Sequence, residues 1–128
     1  MDDVLRNVVI VEFKRPGRLE QREENPYQQI MRYIRDMREG FYRFEDGKKV
    51  KVADTTRFYC YIVCDLDGET IKQMVEENMF RPLFDGQEGY SLYNPSVRAY
   101  IELVPFERIL RDARRNHRAF FERAGFLS

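Results

Sequence analysis

Two hydrophobic periods alternate along this chain, and the switches between them mark its elements. Val8-Val9-Ile10-Val11-Glu12-Phe13-Lys14 alternates with period two: Val9, Val11 and Phe13 take one face of a strand, and Glu12 and Lys14 project together from the other. Asn25-Pro26 then reads as a helix start, with Asn at the N-cap and Pro at the first helical position. Tyr27, Ile30, Met31, Ile34 and Met37 recur at helical spacing, and Gly40 closes the helix. Phe41 to Val52 reads as a ribbon around the Asp46-Gly47 turn. The run Phe58-Tyr59-Cys60-Tyr61-Ile62-Val63-Cys64 has the pattern of a strand buried on both faces, within 57–64.

Asp65-Leu66-Asp67-Gly68 leads into a second helix with Ile71, Met74, Val75 and Met79 inward and Asp67 or Thr70 as its cap. Pro82 to Gly89 is expected to be a loop, followed by a hairpin of Tyr90 to Tyr93 and Val97 to Val104 across Asn94-Pro95-Ser96. A last helix runs from Pro105 or Phe106 to Ala124, ending at Gly125. The expected fold is α/β: a central mixed sheet flanked by helices, with strands 8–14 and 57–64 parallel and joined by the Asn25 helix, and an added carboxy-terminal hairpin and helix. At 128 residues this is one domain.

The chemistry concentrates at the end of the first strand. Glu12 and Lys14 lie roughly 6–7 Å apart along the backbone, on one face. A carboxylate suits a hard divalent cation, and a neighbouring ammonium can orient water or offset charge on a phosphate. The simpler alternative is an ion pair where the strand emerges into solvent. On the following helix, Gln29 and Tyr33 form a stripe along the flank of the apolar face, from which they can overlook a strand end.

Glu12-Phe13-Lys14 followed by Gln29-Ile30-Met31-Arg32-Tyr33 resembles the PD-(D/E)XK phosphodiesterase superfamily, whose active strand carries Glu-x-Lys and whose next helix, in the RecB-like branch, carries Gln-x-x-x-Tyr. The segment is also similar to Shedu-type bacterial defence nucleases and to nuclease-like domains fused to bacterial ATPases. The resemblance covers residues 8–38 well and the later pattern loosely. It implies a restriction-endonuclease-like sheet and a Mg²⁺ or Mn²⁺ cofactor, held by Glu12 and the backbone carbonyl of Phe13. It also implies catalytic roles for Glu12, Lys14, Gln29 and Tyr33. The family's first metal-binding acid precedes the glutamate by ten or more residues, on an earlier strand. Here Asp2 and Asp3 are the only acids before Val4. Either they approach Glu12 through a tight turn at Arg6-Asn7, or the chain is a fragment lacking the upstream helix, strand and acid.

Composition changes this picture modestly. Twenty-two basic and twenty-two acidic residues cancel, so nucleic-acid binding must use a local patch rather than the field of the whole protein. Lys14-Arg15-Pro16-Gly17-Arg18 is the better candidate, with Lys14, Arg15 and Arg18 holding DNA phosphates near Glu12. The last helix carries Arg108, Arg111, Arg114, Arg115, Arg118 and Arg123, which make either a basic ridge or a solvated face. Tyr90 and Tyr93 are candidates to stack on bases.

Cys60 and Cys64 share a strand face but stand roughly 13 Å apart, too far for a disulfide, and read as core thiols. His117 falls on an apolar helical stripe and reads as packing or a cap. No apolar run approaches the ~20 residues of a membrane span, so a cytoplasmic protein is expected. Two functional classes follow: a metal-dependent DNA phosphodiesterase, or an inactive nuclease-like DNA-binding or sensory module fused to an ATPase. Without its hairpin partner the first strand offers an open apolar edge, and pairing with a second copy is expected.

Overall fold

In a computed structural model of the chain, residues 4–14 and 25–112 are described. They form an α/β unit in the order β1 (Val4–Phe13), α1 (Pro26–Arg38), β2 (Lys51–Cys64), α2 (Glu69–Asn78), β3 (Arg81–Pro82), β4 (Tyr90–Asn94), β5 (Ala99–Pro105), with a further helical segment over 106–112. The five strands make one mixed sheet ordered β1-β2-β5-β4-β3. β1, β2 and β5 are parallel, whereas β4 pairs antiparallel with both β5 and β3.

The register explains which side of the sheet is filled. Val8, Ile10 and Glu12 lie beside Phe58, Cys60 and Ile62, which lie beside Ala99, Ile101 and Leu103. Neighbours in register share a face. Phe58, Cys60, Ile62, Cys64, Ala99, Ile101 and Leu103 form one core with Ile30 and Ile34 of α1 and Ile71 and Met74 of α2. Both helices therefore cover the same face, and each buried aliphatic side chain contributes ~1.5–3 kcal/mol. On the other face Tyr59 and Tyr61 are only half-buried while Val63 is buried, so β2 is closed on one side and partly open on the other.

α1 starts as its sequence dictates. The Asn25 side chain accepts from the Gln28 N–H at 2.8 Å, the Gln28 side chain accepts from the Asn25 N–H at 3.3 Å, and Pro26 occupies the first turn. At its other end Arg38 donates to the Val97 carbonyl at 3.1 Å and lies 5.5 Å from the Phe58 ring centre. Gly40, with φ +82°, turns the chain out of the helix.

Several boundaries differ from the sequence reading. β1 begins at Val4 and runs straight through Arg6-Asn7, so no tight turn folds the amino terminus back; Val4 and Leu5 pair instead with Lys51 and Val52 of β2. Asp2 and Asp3 lie outside the described residues. β2 starts at Lys51, and the 41–52 ribbon is a short one around Asp46-Gly47: besides the antiparallel Arg43–Lys49 bridge, the Phe44 N–H donates to the Lys48 carbonyl at 2.8 Å and the Val50 N–H to the Tyr42 carbonyl at 2.9 Å. The cap of α2 is Gly68, with no side-chain hydrogen bond, in place of Asp67 or Thr70; Asp65 instead accepts the Asp67 N–H at 3.0 Å in a local turn. Met79 is 72 % exposed rather than inward, because it terminates α2 in the left-handed region at φ 60°. Arg81–Pro82, at the start of the expected loop, forms a short edge strand. The helix beyond residue 112, including His117, lies outside the described residues.

Candidate functional site

Glu12 and Lys14 stand at the carboxyl end of β1. Lys14 Nζ lies 3.0 Å from Glu12 Oε1, and the two side chains are 13 % and 19 % exposed respectively. The pair forms because residues two apart on a strand share a face, here the helix-covered one, since Glu12 is the register neighbour of core Ile62. The pair is thus largely withdrawn from water, where a charge acts more strongly than at an open surface.

α1 connects two parallel neighbours, so it runs back against the strands and sets its amino end at the carboxyl end of the sheet. Gln29 lies in that first stretch of α1, on the same side of the sheet as Glu12 and Lys14. Its Oε1 is buried and has no hydrogen-bond partner among the described residues. An orphaned buried acceptor costs free energy unless something donates to it or coordinates it. Tyr33 is one turn farther along, packed against the core with the Arg32 guanidinium 5.9 Å from its ring centre. Its neighbourhood also holds Asp36 and Tyr42, whose hydroxyl pKa is raised by burial and then by Asp36. The structure therefore brings Glu12 and Lys14 into contact, sets Gln29 on their side of the sheet, and gives Tyr33 packing and cation contacts of its own.

Phe13 exposes a different part of itself. Lys14 N–H donates to the Val63 carbonyl at 2.8 Å, and Val63 is the register partner of Phe13. In a parallel ladder that phase turns the N–H and C=O of Phe13 away from β2, toward the open edge of the sheet. The described oxygen donors at this end are thus a carboxylate, an outward backbone carbonyl and an unpartnered amide oxygen. They fit a hard cation in kind. They supply one negative charge, and among the described residues no group of three His, Cys, Asp or Glu gathers as a metal site. Arg15 and Arg18 lie outside the described residues.

Other charged features offer phosphates less. Arg108 Nη1 lies 3.0 Å from Glu102 Oε2, and Arg111 lies 3.9 Å from Glu88, so the described start of the last helix has its arginines in ion pairs. A groove of about 890 Å³ at the carboxyl ends of β2 and β5 is lined by Asp65, Asp67, Glu76, Glu88 and Glu107 against Lys72, a balance that repels a phosphate backbone. Sequence reasoning missed this groove, since its acids come from four separate segments. Tyr90 faces the core side and packs against it, whereas Tyr93 is 57 % exposed on the opposite face, so the two do not form one stacking surface. Cys60 and Cys64 are buried free thiols, as expected.

Among the described residues no helix is long and apolar enough to cross a membrane. Comparison with protein-family models, with curated proteins and with solved structures gave no match.

Proposed function

We infer that this chain is a metal-dependent phosphodiesterase domain of the PD-(D/E)XK type, with a restriction-endonuclease-like sheet, acting on DNA. The observation that carries the reading is the Glu12–Lys14 pair at the carboxyl end of β1, on the same side of the sheet as the buried, unpartnered oxygen of Gln29. Glu12 and the Phe13 carbonyl would hold Mg²⁺ or Mn²⁺ together with a further carboxylate. When bound, such an ion supplies Lewis acidity and lowers the pKa of water. Lys14 offers ammonium protons to a phosphoryl oxygen or to the attacking water, at an atom it can reach by sharing its contact with Glu12. Gln29 Oε1 would accept a hydrogen bond from that water and so orient it. Tyr33 acts as a positioning residue by fixing the flank of α1, and Lys14, Arg15 and Arg18 are the phosphate-binding candidates.

The test is cleavage of labelled single- and double-stranded DNA by the full chain with Mg²⁺ or Mn²⁺, beside Glu12→Ala and Lys14→Ala. Metal-dependent cleavage lost in both variants is the expected result. Equal activity in all three proteins removes these roles.

A second reading is an inactive nuclease-like DNA-binding or sensory module, attached to a partner such as an ATPase domain. It is favoured by the single carboxylate that the described residues bring to the site, already neutralised by Lys14. Thermal melts with and without metal separate the two, because an ion bound only to the folded form raises its stability. DNA binding that survives Glu12→Gln, with no metal-dependent shift, selects the module.

A further inference from the structure

The geometry points to β1 as a self-complementary edge, which pairs antiparallel with β1 of a second copy about a two-fold axis through Val11. β1 is the terminal strand of the sheet among the described residues. The Lys14-to-Val63 hydrogen bond sets the phase of its ladder, so Glu12 and Lys14 turn their backbone groups toward β2 while Val9, Val11 and Phe13 turn theirs outward. These three residues also carry exposed apolar side chains, at 63 %, 47 % and 66 %. An unpaired edge is ordinarily blunted by proline, charge or a bulge, and over Val8–Phe13 the outward-turned residues have none of these.

An antiparallel partner must present outward-turned residues at matching positions. The set in β1 is symmetric about Val11, so it matches itself: Val11 faces Val11 of the partner subunit, and Val9 faces Phe13 of the partner subunit. Each pair exchanges two hydrogen bonds, ~six in total; the Phe13 carbonyl gives one of its two lone pairs to Val9 of the partner subunit and keeps the other for an ion. The six side chains then lie on one face, aromatic opposite β-branched, a favourable cross-strand pairing. On the other face each Glu12 brings its own Lys14 at 3.0 Å, so the copies meet without net charge. The arrangement is isologous and closes at two subunits. It also brings Glu12 of the partner subunit to a diagonal position about 7–8 Å from Glu12, backbone to backbone.

Cysteine cross-linking tests the register. Facing residues of a hydrogen-bonded pair have Cα atoms about 5.5 Å apart, within disulfide reach. Val11→Cys is expected to form a covalent dimer on mild oxidation. Val9→Cys alone is not, since the two copies of position 9 are displaced by four residues, roughly 13 Å; mixed with Phe13→Cys it is. Cys60 and Cys64 are buried and stay silent.

Light scattering from about 1 µM to about 500 µM, a range suited to a contact smaller than a standard interface, is expected to show a dimer that dissociates on dilution. Val11→Pro removes an outward N–H without touching the β2 ladder. It is expected to be monomeric with an unchanged circular-dichroism spectrum. A chain monomeric throughout, or one in which Val9→Cys and Val11→Cys cross-link equally, overturns the proposal. So does a dimer lost in Tyr93→Lys but kept in Val11→Pro, which would indicate face-to-face packing instead.

Discussion

Glu12 Oε1 and Lys14 Nζ lie 3.0 Å apart, with most of both side chains out of water, so among the described residues each is the other's nearest counter-charge. Removing one partner strands the other in a poorly hydrated position. Lys14→Met is expected to lower stability by ~1–3 kcal/mol, and Glu12→Gln by a similar amount. The double variant is expected to lose less than the sum, because no stranded charge is left. Urea denaturation of the four proteins measures the coupling. Strictly additive losses would mean that the pair makes no energetic contact.

Adjacent glutamines on α1 are expected to respond with opposite signs. Gln28 completes the capping box, so Gln28→Ala costs ~1 kcal/mol. Gln29 instead buries an acceptor with no partner among the described residues, and Gln29→Met removes that burden while keeping the packing volume. Gln29→Met is expected to leave the melting temperature unchanged or raise it, and to reduce any metal-dependent cleavage. A destabilised Gln29→Met would show that its oxygen already has a donor in solution.

The reach of the sequence follows from how local each feature is. Period two along Val8–Lys14 and the Asn25-Pro26 cap are set by near neighbours, and both stand in the structure. The parallel pairing of β1 with β2 follows from the helix between them. The outer halves of both strands were not legible. Arg6, Asn7, Asp54 and Thr55 break the alternation, and the strands stay paired there only through a register shift. The same division runs through the site. A carboxylate and an amine at i and i+2 must meet, so their contact was readable; whether Gln29 finds a hydrogen-bond partner depends on what surrounds α1, which no spacing reveals.

That register shift has a specific support. Pairing passes from Leu5–Val52 to Asn7–Arg57, so β2 advances five residues while β1 advances two. Thr56, 1 % exposed, fills the gap: its hydroxyl accepts from the Ala53 N–H at 2.8 Å and donates to the Leu5 carbonyl at 2.6 Å. Thr56→Val keeps the shape and strands both backbone groups, an expected loss of ~1–3 kcal/mol. Thr56→Ser keeps the hydroxyl and is expected to lose less. Hydrogen exchange at Ala53 reports the same contact directly. If Thr56→Val exchanges no faster there and melts like the parent, the hydroxyl does not hold the shift.

Burial pushes both core thiols up to about 12 from an ordinary value near 9, with Asp65 adding to the effect at Cys64. A thiol that resists ionisation only when folded contributes stability that is complete below the unfolded pKa. That contribution is lost as pH rises toward the folded value, here between about 9 and about 12. Tyr42 and Tyr100 are also raised by burial, Tyr100 further by Glu102, but from an ordinary value of 10.0. Their contribution therefore begins to fall at higher pH, and the interval from about 9 to about 10 belongs mainly to the thiols. Stability is expected to fall by ~1 kcal/mol per thiol between pH about 8 and about 10. Cys60→Ala/Cys64→Ala starts lower, because it opens a cavity. Its stability is expected to be flatter over the same range. Urea midpoints at the two pH values decide it: parallel falls in parent and variant would place the titrating groups elsewhere.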